Sequence, residues 1–244
     1  MFEFMEISFI LVVIFDNLNA KIHLNRSNLA TICGCDLMQS SYISLRFRNI
    51  TTIDPATFTG LTSLQVLELY NNEISSIDPA TFKGLTSLRW LSLSSNQISF
   101  IDPTTFIGLT SLQELYLYMN QITSVDSATF TGLKSLQNLD LSSNQISFIY
   151  TATFTGLSSL QKLWLNNNKI NQIGEELLKG VNNLNEINME SNKIILFDKN
   201  SFVGLSKLNK VCLNENPISV LFPTFLSNIC SMNPNCNVFI SSKC

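Results

Sequence analysis

Residues 93–101 read LSSNQISFI, and the same nine letters recur at residues 141–149. Both copies belong to a pattern that repeats every 24 residues through most of the 244-residue chain. Its most regular member is an asparagine, which recurs as Asn72, Asn96, Asn120, Asn144, Asn168, Asn192 and Asn216. A fixed period of this length predicts a stack of similar supersecondary units, so the repeat decides the fold.

Three further columns keep the same register. The leucine column is Leu69, Leu93, Leu117, Leu141, Leu165, Met189 and Leu213. The phenylalanine column is Phe58, Phe82, Phe106, Phe130, Phe154 and Phe202, with Leu178 and Leu226 in the remaining units. The glycine column is Gly60, Gly84, Gly108, Gly132, Gly156, Gly180 and Gly204. The unit reads L-x-x-L-x-L-x-x-N-x-I-x-x-I-(x4)-F-x-G-L and resembles the typical 24-residue leucine-rich repeat over roughly residues 37–229.

This resemblance implies an α/β fold, a leucine-rich repeat solenoid curved as a right-handed horseshoe. The alternation in Leu67-Glu68-Leu69 predicts one short strand per unit, and neighbouring units stack these strands into a concave parallel sheet. The asparagines are expected to form a structural ladder that satisfies backbone groups of adjacent coils. Asp54-Pro55, Asp78-Pro79 and Asp102-Pro103 predict short helical or irregular turns on the convex side, each capped by its Asp. Calcium binding by this Asp column is a weaker alternative, because no second carboxylate accompanies each Asp.

The ends of the chain differ from the repeats. Residues 1–20 are predicted to be a signal peptide, because their apolar run, Ile7 to Phe15, has the length of a signal-peptide core and is too short to span a bilayer. A signal peptide usually begins with a positive charge, which is missing here, so a buried N-terminal strand or helix is the alternative. No other segment is apolar enough to span a bilayer, and we expect no transmembrane anchor.

The remaining chain, residues 21–244, is predicted to form one solenoid domain. Residues 21–42 are assigned to an N-terminal cap and residues 43–216 to the repeats. Residues 217–244 are assigned to a degenerate last repeat and a C-terminal cap. Caps are needed because a terminal unit cannot bury its apolar face alone.

The cysteines lie near the two ends, at Cys33, Cys35, Cys212, Cys230, Cys236 and Cys244. This clustering favours disulfides that hold the caps, with free buried thiols as the alternative. A zinc site would need paired C-x-x-C motifs, which are missing, so no metal site is expected. Cys33-Gly34-Cys35 is similar to part of the four-cysteine N-terminal caps of extracellular family members. A bond between Cys33 and Cys35 themselves would close a strained ring, which argues against that pairing.

Three columns of outward-facing residues cross the predicted sheet. The first is Val66, Trp90, Glu114, Asn138, Lys162, Glu186 and Lys210; the second is Glu68, Ser92, Tyr116, Asp140, Trp164, Asn188 and Cys212; the third is Tyr70, Ser94, Tyr118, Ser142, Asn166, Glu190 and Asn214. From these columns we predict a ligand-binding face of Tyr70, Trp90, Glu114, Tyr116, Tyr118, Asp140 and Trp164. Aromatic side chains on a preformed face are frequent binding hot spots, although simple packing on the sheet is the alternative.

Composition and motifs exclude several functions. The chain is 45% hydrophobic and 14% charged, with a net charge of −3 and one histidine, His23. It therefore resembles neither a disordered chain nor a histidine-based enzyme. Glu114 and Asp140 could approach each other, but a shallow solvated sheet should not shift their pKa values much. We predict no enzymatic activity and no cofactor. Without a continuous basic stripe, nucleic acid is also excluded as a partner.

The function predicted from these features is recognition. The resemblance to Toll-like receptor, Slit and variable lymphocyte receptor ectodomains implies a secreted or cell-surface module that binds a protein, or a glycan, through its concave face. An immune or adhesion role follows from the same family breadth. The sequons at Asn25 and Asn49 would carry glycans on a secretory route. The alternatives are a structural matrix or scaffold protein, and a cytosolic scaffold with free thiols.

Overall fold

A computed structural model describes residues 20–198, 200–221 and 237–239. Its strands are β1 (Ile22–Leu24), β2 (Tyr42–Ser44), β3 (Ile50–Ile53), β4 (Val66–Glu68), β5 (Trp90–Ser92), β6 (Glu114–Tyr116), β7 (Ser124–Val125), β8 (Asn138–Asp140), β9 (Phe148–Ile149), β10 (Lys162–Trp164), β11 (Gln172–Ile173), β12 (Glu186–Asn188), β13 (Leu196–Phe197), β14 (Lys210–Cys212) and β15 (Asn237–Phe239). Nine of them form one parallel sheet in the order β2-β4-β5-β6-β8-β10-β12-β14-β15. The predicted solenoid with a parallel sheet along one side is confirmed.

The register of this sheet follows the 24-residue period. Val66 pairs with Trp90, Trp90 with Glu114, and the same offset continues through Lys210. Only the last step differs, because Lys210 of β14 pairs with Asn237 of β15. The structure thus has a terminal strand close to the one expected at Val238-Phe239-Ile240, and Ile240 lies outside the described residues.

The core is a column of leucines backed by a spine of phenylalanines. The central residue of each strand from β2 to β14 in the sheet is almost completely buried, as Leu67, Leu91 and Leu115 illustrate. On the opposite side Phe58, Phe82, Phe106, Phe130 and Phe154 stack with ring centroids 6.1–6.4 Å apart. Each of these rings is at most 1% exposed, so the spine fixes the spacing of the coils on the convex side.

The convex segments are series of turns. Asp102 Oδ1 accepts a hydrogen bond from the Thr104 N–H at 2.8 Å, and the Thr105 N–H donates to the Asp102 carbonyl at 3.0 Å. The hydrogen bonds from the Thr104 hydroxyl and N–H lower the pKa of the Asp102 carboxyl. Gly108 then adopts φ +90°, a left-handed conformation that disfavours any side chain. The aspartates of this column therefore cap the convex turns as predicted, and these turns are shorter than a regular helix.

Short strands also run along the side of the solenoid that follows each ladder asparagine. β1 pairs with β3, β7 with β9, and β11 with β13, all in parallel. The repeat pattern does not predict these pairs. The stacking of coils brings equivalent segments within hydrogen-bonding distance, and β7, β9, β11 and β13, with two residues each, are too short for a periodic pattern.

The N-terminal cap contains β1 and a helix, Arg26–Cys33. Asn25 caps this helix through its Oδ1, which accepts from the N–H groups of Ser27 and Asn28 at 3.0 and 3.1 Å. Leu24 and Leu29 are fully buried and cover the end of the leucine column. Cys33 and Cys35 form a disulfide with each other, so the expectation against this pairing is wrong. Gly34 makes it possible, because it takes the left-handed conformation at φ +63°.

At the other end a short helix, Pro217–Leu221, follows the last ladder asparagine. Ile218 is buried, and its N–H donates to the Ile194 carbonyl of the preceding coil at 2.9 Å, so the contact between coils reaches into this helix. Cys212 is disulfide-bonded and completely buried, and its partner lies outside the described residues. Cys230, Cys236 and Cys244, together with residues 1–19 of the predicted signal peptide, also lie outside them.

Candidate ligand-binding face

The outward columns differ in how far they reach the solvent. Tyr70, Trp90, Tyr116, Tyr118 and Trp164 are each half-buried on the concave face. Several positions that were expected to face outward are instead buried, and these are Ser92, Ser94, Ser142, Cys212 and Asn214. Small side chains at these positions lie below the larger ones beside them. The usable face therefore consists of the larger aromatic and charged residues.

A cluster lies at the centre of the face, across β5, β6 and β8. The rings of Trp90 and Tyr116 pack with centroids 4.7 Å apart and an interplanar angle of 43°. The Tyr116 hydroxyl donates a hydrogen bond to Glu114 Oε2. Asn138 Nδ2 donates to the same oxygen at 3.0 Å. We call Trp90, Glu114, Tyr116 and Asn138 the central cluster, and these contacts hold its side chains in one arrangement.

The carboxyl of Asp140 lies beside the central cluster and is half-buried. Its Oδ1 accepts a hydrogen bond from the Ser142 N–H at 2.9 Å, yet burial raises the pKa of Asp140. The cause is that the neighbouring side chains remove the carboxyl from water, which disfavours its charged form. Burial, followed by the hydrogen bond to Glu114, likewise raises the pKa of the Tyr116 hydroxyl.

Tyr70 lies nearer the N-terminal cap and belongs to a second group. Arg46 Nη1 donates to the Tyr70 hydroxyl at 2.7 Å, and the guanidinium carbon lies 5.9 Å from the ring centroid. Phe47 packs edge-on against the same ring at 5.8 Å. Arg46 and Phe47 precede the first recognisable repeat asparagine, so the column pattern did not identify them.

Lysines appear in the C-terminal half of the face. Lys162 Nζ lies 5.8 Å from the ring centroid of Trp164. Lys210 Nζ forms an ion pair with Glu186 Oε1 at 3.3 Å. In contrast, the outward columns of β4, β5, β6 and β8 contain the carboxylates Glu68, Glu114 and Asp140 and no Lys or Arg. The columns of β10, β12 and β14 hold two lysines and two glutamates, so the acidic excess of the first half ends in a balanced charge.

One rim of the face contains an unusual conformation. The residue before each ladder asparagine has a positive φ, and it is Asn71, Ser95, Met119, Ser143, Asn167, Ser191 or Glu215. Met119 has φ 54° and is 56% exposed, beside Tyr118. A large side chain is costly in this conformation, where Asn is the better choice. Because methionine is unusual at a position with positive φ, Met119 could have been identified from the sequence as an exceptional residue of this rim.

The ladder asparagines lie behind the face and hold neighbouring coils together. Each donates from Nδ2 to a carbonyl of the preceding coil and to one of its own coil, as Asn96 does with Leu69 and Leu93 at 3.0 Å each. Its Oδ1 accepts from an N–H of the preceding coil, here that of Ile74 at 3.0 Å. Of the candidate glycosylation sites, Asn25 caps the first helix and Asn49 has φ 53°.

The chain belongs to the leucine-rich repeat family. The family model for the leucine rich repeat matches residues 41–98, 72–122, 117–170 and 158–218. These matches cover the strands from β2 to β14, the ladder asparagines and the phenylalanine spine described above. A sequence comparison with curated proteins finds no match.

Two solved structures are similar in fold. One is the crystal structure of the TLR13-ssRNA13 complex, with a TM-score of 0.76 and 27% identity over 90% of this chain. The other is the Toll–Spatzle complex from Drosophila, with a TM-score of 0.65 and 17% identity over 82% of this chain, which supports the fold alone. This chain spans only 30% and 31% of the lengths of those two chains.

One prediction about partners is wrong. Nucleic acid was excluded because the chain lacks a continuous basic stripe, but the similar TLR13 structure is a complex with ssRNA13. A fold of this kind therefore binds RNA in TLR13. Among the described residues, no helix is long and apolar enough to cross a membrane. The described side chains also include no group of three or more His, Cys, Asp or Glu residues placed to hold a metal ion.

Proposed function

We propose that this chain is the ligand-recognition part of a secreted or cell-surface protein, and that it binds a protein ligand through its concave face in an immune or adhesion role. The observation that carries the proposal is a contrast within each strand. The central residue is a buried aliphatic side chain in every coil from β2 to β14, whereas its outward neighbours change from coil to coil. The frame needs no aromatic residue at those outward positions, so Trp90, Tyr116 and Trp164 are available for recognition.

The central cluster is suited to binding because its side chains are already held. Trp90 packs on Tyr116, and the Tyr116 hydroxyl is fixed by Glu114. Binding to side chains that are already ordered costs less conformational entropy. Trp and Tyr are also the residues most enriched in binding hot spots.

The charge on the face favours a ligand with basic groups. Glu68, Glu114 and Asp140 lie on neighbouring strands with no outward cation among β4, β5, β6 and β8. A lysine-rich or arginine-rich protein surface would complement these carboxylates, which would repel the phosphates of a nucleic acid. This argument favours a protein as the ligand.

Single-stranded RNA is the second candidate, because TLR13 at 27% identity is seen in complex with ssRNA13. RNA would need the C-terminal half of the face, where Lys162 lies against Trp164. Aromatic rings can stack on bases and lysines can contact phosphates there. Its binding would weaken steeply with salt, whereas binding to an apolar and aromatic hot spot would weaken less.

A secreted location is part of the proposal. It rests on the predicted signal peptide at residues 1–20 and on cysteines that cap the repeats. The disulfide between Cys33 and Cys35 is compatible with an oxidising compartment. Glycans at Asn25 and Asn49 belong to the same proposal.

The first experiment expresses the full chain in secreting cells and measures the mass of the protein in the medium, before and after reduction and deglycosylation. We expect loss of about the first twenty residues. The purified protein is then titrated against a panel of secreted proteins and against single-stranded RNA oligonucleotides at two salt concentrations.

Trp164→Ala and Trp90→Ala are compared with Ile107→Ala, an exposed residue on the convex side. We expect a protein ligand whose affinity falls in the tryptophan variants and is retained in Ile107→Ala. Salt-sensitive RNA binding without a protein ligand would support the second candidate. Retention of the protein inside the cell with residues 1–20 intact, or no concave-face ligand, would support the scaffold alternatives.

A further inference from the structure

The N-terminal cap carries a disulfide with an unusual spacing, because Cys33 and Cys35 are bonded to each other across a single residue, Gly34. Cys33 is the last residue of the cap helix, and Cys35 follows the left-handed glycine that ends it. Both cysteines are half-buried and Gly34 is exposed, so this bond lies at the surface of the cap. Exposed disulfides are the ones that exchange with thiols, whereas structural disulfides resist reduction.

Cys212 provides a contrast within the same chain. It is also disulfide-bonded, but it is completely buried in β14. A thiolate must approach a disulfide sulfur directly in order to attack it, so the Cys212 sulfur is out of reach in the folded protein. Among the cysteines that the structure describes, only the pair of Cys33 and Cys35 is therefore accessible to a thiol in solution.

The cap is held together by contacts that do not use a cysteine sulfur. Leu24 and Leu29 are fully buried, and β1 pairs with β3. The Asn25 side chain caps the start of the helix. At the other end of the helix, the Cys35 N–H donates a hydrogen bond to the Ala30 carbonyl at 3.3 Å. These contacts remain when the disulfide is opened.

The size of the closed loop leads to the same conclusion. A disulfide stabilises a fold mainly by restricting the unfolded chain, and this effect grows with the number of residues in the closed loop. In this case the loop contains one residue between the two cysteines. The bond therefore adds little to the stability of the fold, and the folded protein should survive its reduction.

We propose that the Cys33–Cys35 disulfide is a thiol–disulfide exchange site, which a thiol of a second molecule opens while the cap stays folded. In the first step the partner's thiolate attacks one of the two sulfurs, forms a mixed disulfide with it, and displaces the other cysteine as a thiolate. In the second step another partner thiolate attacks the partner sulfur of the mixed disulfide and releases the second cysteine.

The reaction is balanced by the partner. Two partner thiols are oxidised to one disulfide, and the same two electrons reduce Cys33 and Cys35 to thiols. The two protons of the partner thiols pass through water to the cysteines. The reverse reaction is open as well, because the cap keeps the Cα atoms of the two cysteines 5.2 Å apart. A reduced pair can therefore attack a disulfide of another molecule and close again.

The test uses the full chain, purified with its disulfides intact and treated with millimolar reduced glutathione under native conditions. Free thiols are then alkylated and located by mass spectrometry. We expect alkylation of Cys33 and Cys35 while Cys212 stays oxidised. Reduction of the pair should lower the melting temperature by about 5 °C at most, because the closed loop is so short. The double variant Cys33→Ser, Cys35→Ser should show the same small shift and should oxidise no glutathione.

A parallel reaction with reduced thioredoxin, a protein dithiol, separates the two sources of thiol. Reduction of the pair by glutathione assigns the site to small thiols, and reduction by thioredoxin alone assigns it to protein dithiols. The proposal is overturned if neither reagent reduces the pair in the folded protein, if alkylation of Cys33 and Cys35 requires urea, or if reduction unfolds the chain. Concave-face binding uses other residues, so this proposal and the proposed function fail independently.

Discussion

The Asn144 amide makes four hydrogen bonds to backbone groups. Its Nδ2 donates to the carbonyls of Leu117, Leu141 and Ser142 at 3.0–3.1 Å, and its Oδ1 accepts from the Ile122 N–H at 3.0 Å. Leu117 and Ile122 belong to the preceding coil, so this amide joins two coils. Each of the three carbonyls also accepts from another N–H, so only the Ile122 N–H depends on Asn144 alone. Asn144→Ala removes all four hydrogen bonds from a site that is 7% exposed.

The size of the effect follows from these losses. The Ile122 N–H is left buried without a hydrogen bond, which costs about 1–3 kcal/mol. The three carbonyls each lose one hydrogen bond and keep another, at about 0.5 kcal/mol each. The variant should therefore lose about 2–4 kcal/mol. A domain of ordinary stability has about 5–15 kcal/mol in total, so the loss is a large fraction of it.

The assay is urea unfolding followed by tryptophan fluorescence, because Trp90 and Trp164 lie on coils on either side of Asn144. Gln145→Ala is the matched control, since Gln145 is the exposed neighbour in sequence, and its effect should stay within about 0.5 kcal/mol. Asn144→Asp keeps an acceptor for Ile122 but loses the donor, so at neutral pH it should be at least as harmful as alanine. A loss below about 1 kcal/mol in Asn144→Ala would refute the ladder argument.

Three further predictions concern stability. Phe106→Ala should cost about 3–5 kcal/mol in urea unfolding, because a stacked ring that is 1% exposed leaves a cavity. Asp140→Asn should stabilise the protein at pH 7, because the amide of Asn188 already makes the equivalent hydrogen bond in its own coil. Since burial raises the pKa of Asp140, the wild type gains stability as the pH falls. The difference in stability between the variant and the wild type should therefore shrink at pH 3. Thr105→Val should be neutral or stabilising, because the Thr105 hydroxyl is buried without a hydrogen-bond partner among the described residues. Thr153→Val, at the equivalent position, should cost about 1 kcal/mol because it loses the 2.7 Å hydrogen bond to the Tyr150 carbonyl.

The frame of this fold could be predicted because one residue type marks each structural role in nearly every coil. Leu69 lies in the core, Asn72 forms the ladder, Phe82 joins the spine, and Gly84 turns the chain. Each role recurs with the same neighbours, so the period alone indicates what each position does. Because each position recurs in many coils, a residue preference too weak to interpret in one coil becomes clear over the whole repeat.

The ends and the lateral side could not be predicted in this way. The helix Arg26–Cys33 occurs once, and so no repeat supports it. The pairing of Cys33 with Cys35 depends on the conformation of Gly34, which spacing does not reveal. The pair β7–β9 has two residues in each strand, which is too short for an alternating pattern.

The candidate binding face was predicted only in part. Trp90, Glu114 and Tyr116 come together as a cluster, whereas Tyr70 lies in a separate group with Arg46. The repeat pattern determines the strand and the position on that strand for each residue. Contacts between side chains depend in addition on the length and direction of those side chains. For the same reason the burial of Asp140, which raises its pKa, could not be predicted from the columns.

The most direct measurement places a photo-crosslinking benzoylphenylalanine at Tyr116 in the 244-residue chain expressed in secreting cells, with the same group at Ile107 as the convex control. Irradiation in the native medium is followed by mass spectrometry of the adducts, with and without ribonuclease. A discrete ribonuclease-resistant protein adduct from position 116, and none from position 107, is the result expected for a concave recognition face. Adducts from position 107 alone, or none from position 116 under conditions where the protein binds its partner, would contradict it.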